Sequence, residues 1–113
     1  MENQSELFDE LMKQREKLLQ ALPGVAAAQV AMGDEAYKDA ALSRKVKRLM
    51  ALAIGLGAGC TPCILAQTMR AIEAGATKEE VLETIGVAMT MRGTTGSAES
   101  LRVIKLLEEL GKL

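Results

Sequence analysis

The sequence predicts an all-α domain. Apolar residues recur at helical spacing almost throughout, no run alternates with period two, and capping residues separate the helical stretches. The 113 residues suffice for one domain, 1–113, and not two. A chain of this size buries roughly 65% of its unfolded surface, so its core needs no disulfide staple or structural metal.

The elements follow in order. A helix over 5–21 carries Phe8, Leu11, Met12, Leu18, Leu19 and Leu22 on one face, with Ser5 as N-cap. Pro23-Gly24 ends it. An alanine-rich helix over 24–32 is closed by Gly33, and Asp34 caps a further short helix over 34–39. Ser43 caps a helix over 44–57 whose inner face is Val46, Leu49, Leu52, Ala53 and Leu56. Beyond Arg48 that helix is apolar on all sides, which places it inside the bundle or against another subunit. The next helix spans 61–74 and stops at Gly75. Thr77 and Glu80 then form a capping box for 77–92, which presents Val81, Leu82, Ile85, Ala88 and Met89. After a loop over 92–97, a last helix over 97–110 carries Leu101, Ile104, Leu107 and Leu110.

Composition excludes several kinds of chemistry. Histidine is absent, so no Ser-His-Asp or Cys-His nucleophile can be assembled and no imidazole base is available. Two cysteines fall short of a four-ligand zinc site within one chain, so no metal or bound cofactor is expected. Phe8 and Tyr37 are the only aromatics, too few to stack bases, and a net charge of −1 does not suit a phosphate backbone. Nucleic acid is therefore not an expected partner. The N-terminus has neither the basic nor the apolar region of a secretory signal, which points to the cytoplasm. The uncharged run from Leu49 to Met69 is long enough for a bilayer, but Gly55, Gly57, Gly59 and Pro62 break it. Two helices meeting at a turn are expected there, and no membrane span.

Cys60-Thr61-Pro62-Cys63 is the one chemically pointed motif. Its spacing brings two sulfurs together on one helical turn, close enough for a disulfide. Pro62 places the pair at a helix start, where free N–H groups and the macrodipole favour thiolate. Such a thiolate attacks a peroxide oxygen or a disulfide sulfur, and the second cysteine resolves the product. Two inert core thiols, or half of a metal site shared between subunits, are the alternatives. Among lesser features, Arg44, Lys45, Lys47 and Arg48 cluster at a helix start, a solvated face or an anion site. Met50, Met69, Met89 and Met91 read as core filling.

The run Lys45–Ala53 leading to Gly59–Cys63, followed by Ala71-Ile72-Glu73-Ala74-Gly75-Ala76-Thr77-Lys78-Glu79-Glu80-Val81, resembles the alkyl hydroperoxidase D-like group. That group belongs to the carboxymuconolactone decarboxylase family, and the resemblance covers residues 23 to 95. It implies a single helical bundle of that kind, assembled as a homo-oligomer, commonly a trimer or hexamer. For cysteine-bearing members it implies an antioxidant peroxidase or disulfide oxidoreductase taking a small hydroperoxide and an external dithiol, with Cys60 and Cys63 catalytic. The group's proton relay places a glutamate twelve residues before the first cysteine and a histidine four after the second. Those positions here are Arg48 and Gln67. Gln67 can hydrogen-bond a thiolate or a water, and Arg48 can stabilise a thiolate, but neither takes up a proton near neutral pH. A base from Glu35, Glu73 or another subunit would have to stand in. Two further readings follow: a lyase of the decarboxylase branch that holds carboxylates on the basic cluster, or a non-catalytic oligomeric scaffold that has lost the relay.

Overall fold

The computed structural model describes all of residues 1–113. It contains six helices and no strands: α1 Gln4–Ala21, α2 Pro23–Ala36, α3 Arg44–Ala58, α4 Thr61–Glu73, α5 Lys78–Arg92 and α6 Thr94–Glu109. The core is built by the last four. Leu52 and Leu56 of α3, Ile64 and Ala71 of α4, Val81, Ile85 and Ala88 of α5, and Val103 and Leu107 of α6 form one buried cluster with Ala76. Burying each large aliphatic side chain stabilises the fold by about 1.5–3 kcal/mol, so these four helices form the stable unit.

Local signals explain most boundaries. The Ser43 hydroxyl accepts from Val46 N–H at 3.1 Å, and Thr77 and Glu80 cap each other reciprocally at 2.9 and 3.1 Å. Lys45 meets Glu80 at 2.8 Å and so ties the start of α3 to the start of α5. No helix is long and apolar enough to cross a membrane, because α3 stops at Ala58 and α4 starts at Thr61.

Several expected boundaries are corrected. Gly33 does not close a helix. It lies inside α2, which runs without a break to Ala36 and replaces the two short helices expected over 24–32 and 34–39. An isolated glycine costs a helix only about 1 kcal/mol and ends it only when the backbone turns left-handed, which Gly33 does not do. The loop expected over 92–97 shrinks to Gly93, and α6 begins at Thr94. The buried stripe of α6 is Gly96, Ser100, Val103, Leu106 and Leu107, so Leu101 points outward, 55% exposed. Gly96 permits this register. A Cβ there would stand 2.9 Å from the Ala88 carbonyl oxygen and 3.2 Å from Met89 Cα, so α5 and α6 approach through the missing side chain.

The N-terminal hairpin is attached differently. α1 is capped by Asn3, whose side chain accepts from Glu6 N–H at 2.8 Å, and not by Ser5. Ser5 N–H instead donates to Glu109 Oε1 at 2.8 Å, and Gln4 N–H donates to Glu109 Oε2 at 2.9 Å. Arg102 reaches Glu2 and Gln4 at 3.0 and 3.2 Å. A carboxylate at the end of α6 thus satisfies two free donors at the start of α1. Beyond that anchor the expected apolar face is only partly covered. Phe8, Leu11, Met12 and Leu19 are half-buried, Leu18 and Leu22 are exposed, and α2 buries Ala26 alone. The radius of gyration, 14.2 Å, exceeds the roughly 13 Å expected for this length, as a hairpin lying outside the main bundle requires.

Gly96→Ala is expected to cost about 1–3 kcal/mol, because its Cβ meets backbone that cannot rotate away. The urea midpoint measures this, and an unchanged midpoint would show that the α5–α6 contact gives way freely. Glu109 makes a second case. Burial alone would raise its carboxyl, but the bonds from Gln4 and Ser5 outweigh that and hold it below its ordinary value of 4.5. Its stabilisation is therefore complete above that value and lost as pH falls through the lower, folded-state one. Glu109→Gln should lower the melting temperature at pH 7, with the deficit shrinking as pH drops below about 4. A deficit that ignores pH would mean the charge contributes nothing.

Candidate functional site

The cysteine pair sits where α3 hands the chain to α4. Gly59 ends α3 with φ 68 and ψ 32, a left-handed conformation that an L side chain resists, and turns the chain within two residues. Cys60 is then the N-cap of α4. Its Sγ accepts from Cys63 N–H at 3.3 Å, and Pro62 occupies the first turn as expected. The two cysteines are joined as a disulfide, with Cα atoms 5.2 Å apart. Cys60 is half-buried and Cys63 exposed, so the pair lies outside the buried core of the chain. A sulfur that accepts a helix N–H is stabilised as thiolate once the bond opens.

The hairpin is tight because of Gly55. A Cβ on Gly55 would lie 3.3 Å from Cys63 Cβ, so α3 backs directly onto the second cysteine. The same antiparallel register aligns the next positions down the groove. Arg48 Nη1 donates to Gln67 Oε1 at 3.2 Å, and the Arg48 guanidinium lies 3.5 Å above the centre of the Tyr37 ring. The two residues at the relay positions are therefore in contact, as a guanidinium and an amide. Burial, with Arg70 and Arg44 as like-charged neighbours, holds Arg48 below its ordinary value, against an opposing contribution from Tyr37.

Neither intramolecular stand-in base reaches the cysteines. Glu35 pairs with Lys38 at 2.5 Å on the surface. Glu73 lies ten residues beyond Cys63 on α4, roughly 15 Å along the helix. The carboxylate that does approach is Glu99 of α6, whose Oε1 lies 3.8 Å from where a Gly59 Cβ would be, beside Cys60. Arg92 approaches the same turn, its Cγ 3.6 Å from the corresponding point on Gly57. Sequence reasoning missed both. Glu99 is separated from the cysteines by two whole helices, and no local spacing marks it. No three Cys, Asp or Glu side chains gather where they could hold one metal ion.

The model of the carboxymuconolactone decarboxylase family matches residues 23–106, most of the chain and all of this site. The chain belongs to that family. An uncharacterized protein of Cupriavidus necator is 29% identical over 101 residues, covering 89% of each chain. Uncharacterized protein 4 in the cox locus of Paracoccus denitrificans is 31% identical over 81 residues, 72% of this chain and 73% of its own. The crystal structure of an apo carboxymuconolactone decarboxylase family protein from Legionella pneumophila matches with a TM-score of 0.90 and 28% identity. It covers 99% of this chain and 100% of that one, so the structural match extends over the N-terminal hairpin as well as the turn between α3 and α4.

Proposed function

We propose that this family member is a thiol-dependent peroxidase or disulfide oxidoreductase in which Cys60 and Cys63 cycle between dithiol and disulfide. One observation carries the reading: the pair is closed at the open start of α4, with Cys60 Sγ held by Cys63 N–H. In the oxidising half, the Cys60 thiolate attacks the distal oxygen of a hydroperoxide and the O–O bond breaks. Cys60 becomes a sulfenic acid, and the departing alkoxide takes a proton to leave as alcohol. Cys63 then condenses with Cys60, forming the disulfide and releasing water. In the reducing half, one sulfur of an external dithiol attacks exposed Cys63, and Cys60 leaves as the thiolate its helix end stabilises. The second sulfur of the dithiol then frees Cys63.

The proton that a histidine would manage has no imidazole here. Glu99, beside the turn, is the carboxylate available to accept it. Subunit assembly fits the exposed apolar residues Met50 and Ile54 of α3 and Val87 and Met91 of α5, which a single chain leaves in water. We place the protein in the cytoplasm as a homo-oligomer, a trimer or hexamer. The non-catalytic scaffold reading is favoured by one observation, the Arg48–Gln67 pair where the relay would be.

Intact mass before and after one equivalent of hydroperoxide tests the redox reading. Reduced protein should lose two hydrogens, regain them with a dithiol, and in Cys63→Ser accumulate a sulfenic acid on Cys60. Two unreacted thiols after long exposure would move the assignment to the scaffold. A sulfenic acid trapped only in Cys60→Ser would reverse the roles of the two sulfurs. Glu99→Gln is expected to slow peroxide-driven oxidation by about 100-fold or more while leaving the melting temperature in place. An unchanged rate would remove Glu99 from the chemistry.

A further inference from the structure

The basic cluster at the start of α3 divides into two halves. Lys45 is paired with Glu80, and Lys47 donates to the Lys38 carbonyl at 2.7 Å. Arg44 and Arg48, one turn apart on the same face, are left over. They line a cleft of about 250 Å³ with Arg70, Glu73 and Ala74 of the α4 end. None of the three guanidiniums has a carboxylate within 4 Å. Glu73 is the only acid in the cleft, so the lining carries two net positive charges. The start of α3 contributes a positive dipole end and the end of α4 a negative one, so the guanidiniums set the sign of the field.

We propose that Arg44, Arg48 and Arg70 form a binding cleft for a small oxyanion, the phosphate or paired carboxylates of a compact acid. Three unpaired guanidiniums repel one another, and an oxyanion among them turns that repulsion into attraction. The guanidinium fork matches the oxygens of phosphate and carboxylate two at a time. Arg48 is already oriented, with the Tyr37 ring against its face and Gln67 accepting one of its five N–H groups, so little further ordering is needed. The volume admits a few heavy atoms and not a drug-sized ligand. Arg70 lies seven residues beyond Cys63 on α4, roughly 10 Å along the helix, so the cleft and the disulfide occupy separate stretches of one groove. The inference does not depend on the redox reading.

Titration calorimetry at low ionic strength, with inorganic phosphate and succinate as separate probes, tests it. The wild-type protein should show saturable binding of at least one probe. Tighter phosphate binding identifies a phosphoryl group as the ligand, and tighter succinate binding a dicarboxylate. Arg44→Gln and Arg70→Gln should each weaken binding about tenfold or more, while Lys78→Gln leaves it intact. The Cys60→Ser/Cys63→Ser variant should bind as wild type, which separates this result from any failure of the thiol chemistry. No saturation by either probe at millimolar concentration would overturn the proposal. Binding that survives both arginine substitutions would also overturn it.

Discussion

The register of the α3–α4 hairpin is the constraint on which the rest of the molecule depends. Gly59 turns the chain in the left-handed region, and Gly55 lets the backbone of α3 rest against Cys63. Once those two contacts are set, an antiparallel pair of helices has no freedom left. Gly55 faces Cys63, Arg48 faces Gln67, and Arg44 shares a cleft with Arg70. A Cβ on Gly55 would press against Cys63 Cβ at 3.3 Å, so α4 would have to yield slightly there. The glycines that make the Leu49–Met69 run look broken are therefore what place the sulfurs at a helix start.

Charge is distributed along that groove with the same economy of residues. At one end, α4 offers unsatisfied N–H groups to a sulfur, and Cys60 accepts one of them. At the other, α3 begins with four cations where its own dipole is already positive, an arrangement that costs energy unless anions answer it. Two answers lie within the chain: Asp39 accepts from the Arg44 backbone N–H at 2.7 Å, and Glu80 takes Lys45. Neither the Arg44 nor the Arg48 guanidinium has a carboxylate partner. Between the two ends, the Arg48–Gln67 contact joins the helices through a guanidinium and an amide, neither of which takes up a proton near neutral pH.

Much of the fold was legible because its signals are local. Ser43, the Thr77–Glu80 box and Gly75 each act within one helical turn, and each acts where expected. The cysteine pair was legible for the same reason. What escaped depends on distant partners. Gln4 is fully buried because Glu109 and Arg102 receive it, from the other end of the chain. Glu99 reaches the cysteine turn from α6 only because Gly96 lets α6 lie close on α5. Gly33 and Leu101 failed in the opposite way: a local signal was present, and the packing around it did not use it.

The methionines bear on what the unused surfaces are for. Met50, Met89 and Met91 were expected in the core, yet all three are exposed, and only Met69 is half-buried. Ile54 and Val87 stand in water beside them in sequence, 71% and 61% exposed. α1 and α2 likewise leave Leu18, Leu22, Val25 and Val30 uncovered. A chain that buries only eighteen residues has spent less than half of its apolar side chains on its own core. Flexible, polarizable methionine suits a face that must conform to another surface. The chain's apolar side chains are thus divided between the core of the bundle and its exposed faces.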